Sequence, residues 1–168
     1  MRALVVLVLA ALLLASCTQQ TPDTAKIKTE VQALLDKSAA EMSSGVMDTT
    51  MAQYADDPYS LPNNGPLLHG KAAIKEYFGK MMAMGMKFKA VKFTNLDVTA
   101  AGKYVNDIGT YEMTMEIPGM GTMNDKGKYV TIYERAADGK LKIKYETWNN
   151  DTMPSMPEPQ APAGEKKM

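Results

Sequence analysis

His69 is the only histidine in the 168-residue chain and Cys17 the only cysteine, and each stands where its chemistry could be used. Histidine titrates near neutrality and serves often as a general acid or base. His69 directly precedes a helical stretch beginning at Lys71, a placement that would suit a hydrolase or lyase working with a water or a tyrosine. A surface histidine flanking a helix start is the preferred reading, because no recognisable motif pairs it with a carboxylate. Asp56 and Asp57 are candidates of the same kind, yet such a dipeptide before Pro58 reads as a helix end and a turn. One cysteine closes no internal disulfide, and one cysteine with one histidine cannot fill a zinc site. Methionine is the outlying number, at 15. Thioethers suit Cu(I) and oxidise to sulfoxides, so Met84, Met86, Met120 and Met123 are the candidate soft ligands, the last two in a Met-Gly-Thr-Met loop. Met81, Met113 and Met115 occupy core-facing positions, where methionine is adaptable filler for a core or an irregular cavity. That reading is preferred for the group, and no cofactor is expected.

The 19 basic and 19 acidic side chains cancel, which leaves no field to hold nucleic acid. The N-terminus is an address. Met1-Arg2, an apolar run from Ala3 to Leu14, and Ala15-Ser16-Cys17 form a charged region, a short hydrophobic region and a cut site. The run is too short for a membrane helix, which takes about 20 residues. Leu14-Ala15-Ser16-Cys17 resembles the bacterial lipobox, in which the cysteine becomes the first mature residue and is acylated. The resemblance implies a signal peptide over residues 1–16, a membrane partner reached through acylated Cys17, and a tether over residues 17–25. Thr18 after the cysteine is similar to the outer-membrane sorting pattern, so in a Gram-negative host the domain would face the periplasm. Pro154, Pro157, Pro159 and Pro162 mark residues 153–168 as a disordered tail. Residues 26–152 remain for one core, a usual domain size.

Within that span Ile27, Val31, Leu34, Leu35 and Met42 recur at helical spacing and predict a helix over Lys26 to Met42, stopped by Ser43-Ser44-Gly45. A short helix from Met47 to Tyr54 is expected next, broken at Asp56-Asp57-Pro58, with an irregular stretch leading to His69-Gly70. A third helix runs from Lys71 to about Met84, ended by Gly85. The period then changes to two: Phe88 to Val98, Tyr104 to Ile117, Lys128 to Arg135 and Leu141 to Trp148 read as antiparallel strands, the last pair joined by an Asp138-Gly139 hairpin. The fold class is α+β, with three N-terminal helices packed in a curved, mostly antiparallel sheet that forms an open cone.

Three stretches now identify a relationship: Gly45 to Asp57, His69-Gly70 followed by Ala73-Ile74, and Gly127-Lys128-Tyr129 through Asp138-Gly139-Lys140-Leu141-Lys142-Ile143 to Trp148-Asn149. Their order and spacing resemble the SnoaL-like, ketosteroid-isomerase-like superfamily with the nuclear transport factor 2-like fold, over almost the whole of residues 26–152. The superfamily hosts isomerases, dehydratases, cyclases, pocket binders and dimerisation modules, so the site has to decide. By that resemblance the isomerase general-base Asp falls at Pro62, the oxyanion-hole Tyr near Ser38 and the companion Asp near Thr131. The carboxylate base and neutral acidic donor that enolisation needs are missing at all three, and ketosteroid isomerisation is not expected. The same resemblance sets His69 at the cone mouth and Trp148 where isomerases hold a ligand-facing aromatic. Strict alternation from Leu141, Ile143 and Tyr145 puts Trp148 on the opposite face with Lys142, Lys144 and Glu146, unless a bulge intervenes; Tyr145 and Trp148 therefore both stay as pocket candidates. Tyr54, Tyr77, Tyr111 and Met113 complete the set with His69.

The expectation is a lipid-anchored cell-envelope domain binding a small apolar molecule in its cone, without assignable catalytic residues, and a homodimer through its sheet by resemblance. The alternatives are a hydrolase or lyase using His69, a methionine-based Cu(I) binder, and a dimeric scaffold with a filled cone. Cys17→Ala should abolish acylation and shift the protein from the detergent phase to the aqueous phase on detergent partitioning; unchanged partitioning would remove the anchor.

Overall fold

The computed structural model describes residues 23–45 and 47–151; the expected signal peptide, Cys17 and the expected proline-rich tail lie outside the described residues. Asp23 caps the first helix by accepting from the Lys26 N–H at 3.1 Å. Helix α1 (Thr24–Ser44) then runs to Gly45, whose left-handed φ of 73° lets its N–H reach the Glu41 and Met42 carbonyls. The last two residues of the expected tether, Thr24 and Ala25, are thus helical. Helix α2 (Met47–Met51) is shorter than its apolar pattern predicts. Tyr54, taken as its end, begins a strand instead, β1 (Tyr54–Leu61), and a two-residue strand β2 (Leu68–His69) follows. Helix α3 (Gly70–Ala83) and the long strands β3 (Lys87–Ala101), β4 (Tyr104–Ile117), β5 (Gly121–Arg135) and β6 (Leu141–Asn150) complete the order. No helix among the described residues is long and apolar enough to cross a membrane.

The six strands form one mixed open sheet in the order β2-β1-β6-β5-β4-β3. The antiparallel meander from β3 to β6 is the one legible in the period-two pattern. β1 joins it in parallel along β6, and β2 pairs antiparallel at the edge. The sequence hides β1 because Asp56-Asp57-Pro58 is a turn signal; here it is an irregularity inside a strand. Between the pairs Tyr54–Ile143 and Tyr59–Tyr145 the β1 register slips, and proline is tolerated in a strand at such a bulge, where no ladder bond is required of it. β5 also starts earlier than expected, at Gly121, so that the Met-Gly-Thr-Met stretch lies mostly in strand and Met123 stands opposite Met115.

Two apolar clusters fix the helices to the sheet. Val31 and Leu35 of α1 pack on Val98, Val105, Tyr129, Tyr133 and Leu141, while Ile74 of α3 packs with Met51, Tyr54 and Leu68. Burying a side chain such as Val31 or Ile74 contributes about 1.5–3 kcal/mol. Polar ties set the register of α1. Gln32 donates to the Phe93 carbonyl and accepts from the Asn95 N–H, and the Asn95 amide donates to the Lys28 carbonyl; this occupies backbone groups at the β3 irregularity between Asn95 and Asp97. Arg135 grips Glu30 through two bonds of 3.0 Å.

Two glycines let tyrosines lie flat across the inner face. Gly109 stands opposite Tyr129 and Gly127 opposite Tyr111 on the β4–β5 ladder. A Cβ at Gly109 would collide with the Tyr129 ring and the Thr94 carbonyl, and one at Gly127 would meet the Tyr111 ring and the Asn149 carbonyl. Gly109→Ala should cost about 1–3 kcal/mol, whereas Gly79→Ala in α3, where a Cβ meets open space, should gain up to about 1 kcal/mol. Denaturant midpoints of the two variants check both signs.

Candidate functional site

Between the inner face of the sheet and the helices lies a cavity of about 300 Å³. Aromatic and thioether side chains make most of its wall. Tyr54, Tyr77, Tyr111, Met113 and Trp148 line it, five of the seven pocket candidates read from the sequence, and so do Met81, Met82, Met86 and Met115. Ser38 and Thr131, near which the resemblance sets two of the three polar groups of ketosteroid isomerases, line it too, and Asn63 does so beside Pro62.

Trp148 faces inward because of a bulge in β6. Tyr133 pairs with Ile143 and Ile132 with Tyr145, which leaves Lys144 as the extra residue. One inserted residue exchanges the faces beyond it. Tyr145 therefore points away from the cavity and is exposed, a correction to its place among the pocket candidates. Glu146 and Trp148 turn in together, since they are two residues apart. Trp148 then stacks against Phe78 of α3 with ring centroids 6.2 Å apart.

Glu146 is the residue that the sequence did not offer. The Tyr54 and Ser60 hydroxyls both donate to its Oε1 at 2.7 Å. Burial raises its pKa, and these two hydrogen bonds hold it down only in part. Burial and the adjacent Glu146 charge also hold the Tyr54 hydroxyl well above the usual tyrosine range, so Tyr54 acts here as a donor, not as a base. The signal was available: any bulge that brings Trp148 inward must bring Glu146 with it. At the other end of the cavity wall the Tyr111 hydroxyl donates to Asp125 at 3.2 Å.

His69 does not line the cavity, which corrects its placement at the mouth. It sits on the outer side of the sheet edge, stacked on Tyr59 with centroids 4.1 Å apart, and its Nε2 meets the Asp57 carboxylate. Tyr59 stacks in turn on Tyr145 at 5.9 Å. The register explains the row, since Tyr59 lies opposite both His69 and Tyr145. A His–Asp pair thus exists, built from residues that the Asp-Asp-Pro pattern assigns to a turn, but it faces away from the molecule-sized space. Of the four candidate thioethers, Met86 lines the cavity, Met84 and Met120 are both exposed, and Met123 faces Met115 across the ladder. Among the described residues no group of three or more His, Cys, Asp or Glu could hold a metal ion.

A second buried acid lies beside the site. Asp107 is fully buried opposite Thr131, and burial raises its carboxyl to about 6, with the Tyr129 hydroxyl and Lys28 pulling the other way. Neither of its oxygens finds a well-formed hydrogen bond.

An open mixed sheet closed on one side by helices, with an apolar cavity between the layers, defines the nuclear transport factor 2-like class. The chain belongs to the SnoaL-like domain family, whose model matches residues 33–143. Solved structures of the same fold include a ketosteroid isomerase-like protein from Erwinia carotovora, at 14% identity over 74% of this chain and 98% of that one, with a TM-score of 0.63. A nuclear transport factor 2-like superfamily protein from Salmonella enterica matches at 12% identity over 81% and 99%, with a TM-score of 0.65. A Catenulispora acidiphila protein in complex with S-DNPA matches at 15% identity over 76% and 95%, with a TM-score of 0.67. No curated protein is significantly similar in sequence.

The Asp107 shift has a definite sign. A carboxyl whose pKa rises on folding binds its proton more tightly in the folded chain, so its stabilising contribution is complete below its unfolded value of 3.8 and is lost as pH climbs to about 6. Asp107→Asn should therefore raise Tm at pH 8 relative to the parent chain, and this gain should vanish toward pH 4; melting curves across that range check it.

Proposed function

We propose that this is a lipid-anchored, cell-envelope SnoaL-like domain that binds one small, largely apolar molecule in its cone. The observation carrying the proposal is the cavity of about 300 Å³, walled by aromatic and methionine side chains with a few converging polar groups. That is the usual make-up of a small-molecule site. Methionine suits it by repacking around an irregular guest. Binding is favoured over isomerisation because, at the positions set by resemblance, Pro62 and Thr131 supply no carboxylate and Ser38 no tyrosine hydroxyl where the isomerases hold theirs. His69 offers no route to a hydrolase or lyase acting in the cavity, since its ring is engaged on the outer side with Asp57 and Tyr59.

The anchor is acylated Cys17, which holds the domain at a membrane surface without spanning it; in a Gram-negative host that surface is the outer membrane facing the periplasm. The domain pairs with a second copy through the outer face of its sheet. Ile108 and Val130, directly opposite each other on β4 and β5, are exposed there together with Tyr145, and such a patch suits an interface.

Native mass spectrometry of the full chain freshly released from the envelope tests these points in one spectrum. A dimer retaining one organic mass per subunit is the expected result, and Val130→Lys should shift it to monomer. Anaerobic Cu(I) titration of the same sample should leave the masses unchanged; saturable adducts lost in Met120→Leu would transfer the reading to metal handling. A protein that carries no organic mass and takes up none from a lipophilic extract would overturn the binding proposal.

A further inference from the structure

The cavity wall is chemically one-sided. Among the described residues it contains two carboxylates, Glu146 and Asp125, and no Lys, Arg or His side chain. Lysines are near but turned elsewhere. On β6 itself, Lys142 donates to the Ala52 carbonyl and Lys144 to the Asp57 carbonyl, and neither perturbs Glu146, whose partners are the Ser60 and Tyr54 hydroxyls alone. Those two hydroxyls converge on Oε1. A carboxylate held in an apolar cavity with no cation is costly, and the cost is relieved by a counter-charge placed against it.

The neighbouring rings offer a surface of the matching kind. Aromatic faces carry negative quadrupole potential, and a cation within about 6 Å of a ring centroid is attracted to it. Tyr54, Tyr77, Phe78 and Trp148 line the same cavity as Glu146. The environment disfavours an anion, which would meet two acids and no base. A neutral carbonyl is also poorly served at Glu146, because the hydroxyls that could donate to it are already bonded to the carboxylate.

We infer that the molecule taken up is a lipophilic cation, an apolar body bearing a protonated amine that pairs with Glu146 while its hydrocarbon part fills the methionine-lined end. The inference rests on the cavity-binding proposal above and specifies the chemical class of its ligand. Glu146 supplies charge, the rings supply both shape and cation affinity, and the six methionines from Met42 to Met115 along the wall tolerate variation in the apolar part.

Trp148, the only tryptophan, lines the cavity and is a built-in reporter. The full chain at neutral pH would be titrated with adamantylmethylamine, adamantylmethanol and adamantanecarboxylate, which share one apolar body and are spectroscopically silent, with calorimetry in parallel. The amine should bind at least about tenfold more tightly than the alcohol, the ratio expected for one charge-assisted contact, and the carboxylate should be weakest. Glu146→Gln, which preserves shape and an oxygen for the Tyr54 and Ser60 hydroxyls, should bring the amine down to the alcohol and leave the alcohol unchanged. An alcohol that binds as well as the amine in the parent chain overturns the cation inference while the cavity proposal stands, and this comparison does not depend on any variant folding. An amine preference that survives Glu146→Gln also overturns it. Failure of all three probes to perturb Trp148 or release heat overturns both.

Discussion

Lys144 has no partner across the β5–β6 ladder, where Tyr133 pairs with Ile143 and Ile132 with Tyr145, and the cavity's chemistry follows from that one unpaired position. Without the extra residue, alternation would carry Tyr145 inward and turn Glu146 and Trp148 to the outer face. The bulge is held from the neighbouring strand, because the Lys144 ammonium bonds to the Asp57 carbonyl and lies 3.8 Å from the Asp57 carboxylate. A bulge clamped in this way re-aims side chains without unravelling the sheet. Its two consequences are coupled: the acid and the indole enter the cavity as a unit, and Lys144 is kept on the opposite side, where it cannot neutralise the acid.

The same clamp accounts for β1. Asp56-Asp57-Pro58 belongs to the stretch where the β1 register slips against β6, so both strands are irregular at the place where they meet. Beyond it Tyr59 lies between His69 and Tyr145 in one outward row, while Ser60 turns inward to Glu146. One strand thereby serves two faces with adjacent residues. His69 is drawn outward by pairing with Tyr59, which explains why a lone histidine at the start of α3 is remote from the cavity despite its position in the sequence.

How much of this was readable in advance depended on regularity. Helices α1 and α3 and strand β4 carry clean periods, and their limits fall within two residues of those that the pattern predicts. β1 was not readable, because aspartates and a proline in a strand imitate a turn; the parallel pairing that makes it a strand comes from residues some 90 positions away. Most of the cavity wall was legible as inward-facing aromatic and methionine positions. Glu146 was not, since a carboxylate flanked by polar residues on a terminal strand looks like solvent-facing surface. Only the register of β6 against β5 distinguishes the two outcomes, and register is a property of a pair of strands.

Asp107 and Glu146 both have their pKa raised by desolvation, and their settings differ in an instructive way. Asp107 is fully buried opposite Thr131, and because the Tyr129 hydroxyl and Lys28 offset its desolvation only in part, a proton relieves the rest. Glu146 is held by two hydroxyls yet opens on a space, so it can be relieved either by a proton or by a guest. In the first case the cost is a property of the fold and varies with pH. In the second, on the proposal above, it becomes differential affinity: a cation placed against the carboxylate offsets the desolvation that raises its pKa, which no neutral guest can do. Tyr133 carries the influence of both acids, each raising its hydroxyl beyond the effect of burial. On the proposed reading the sheet holds one carboxylate as a structural burden and the other as a point of recognition, and access to the cavity is what separates their roles.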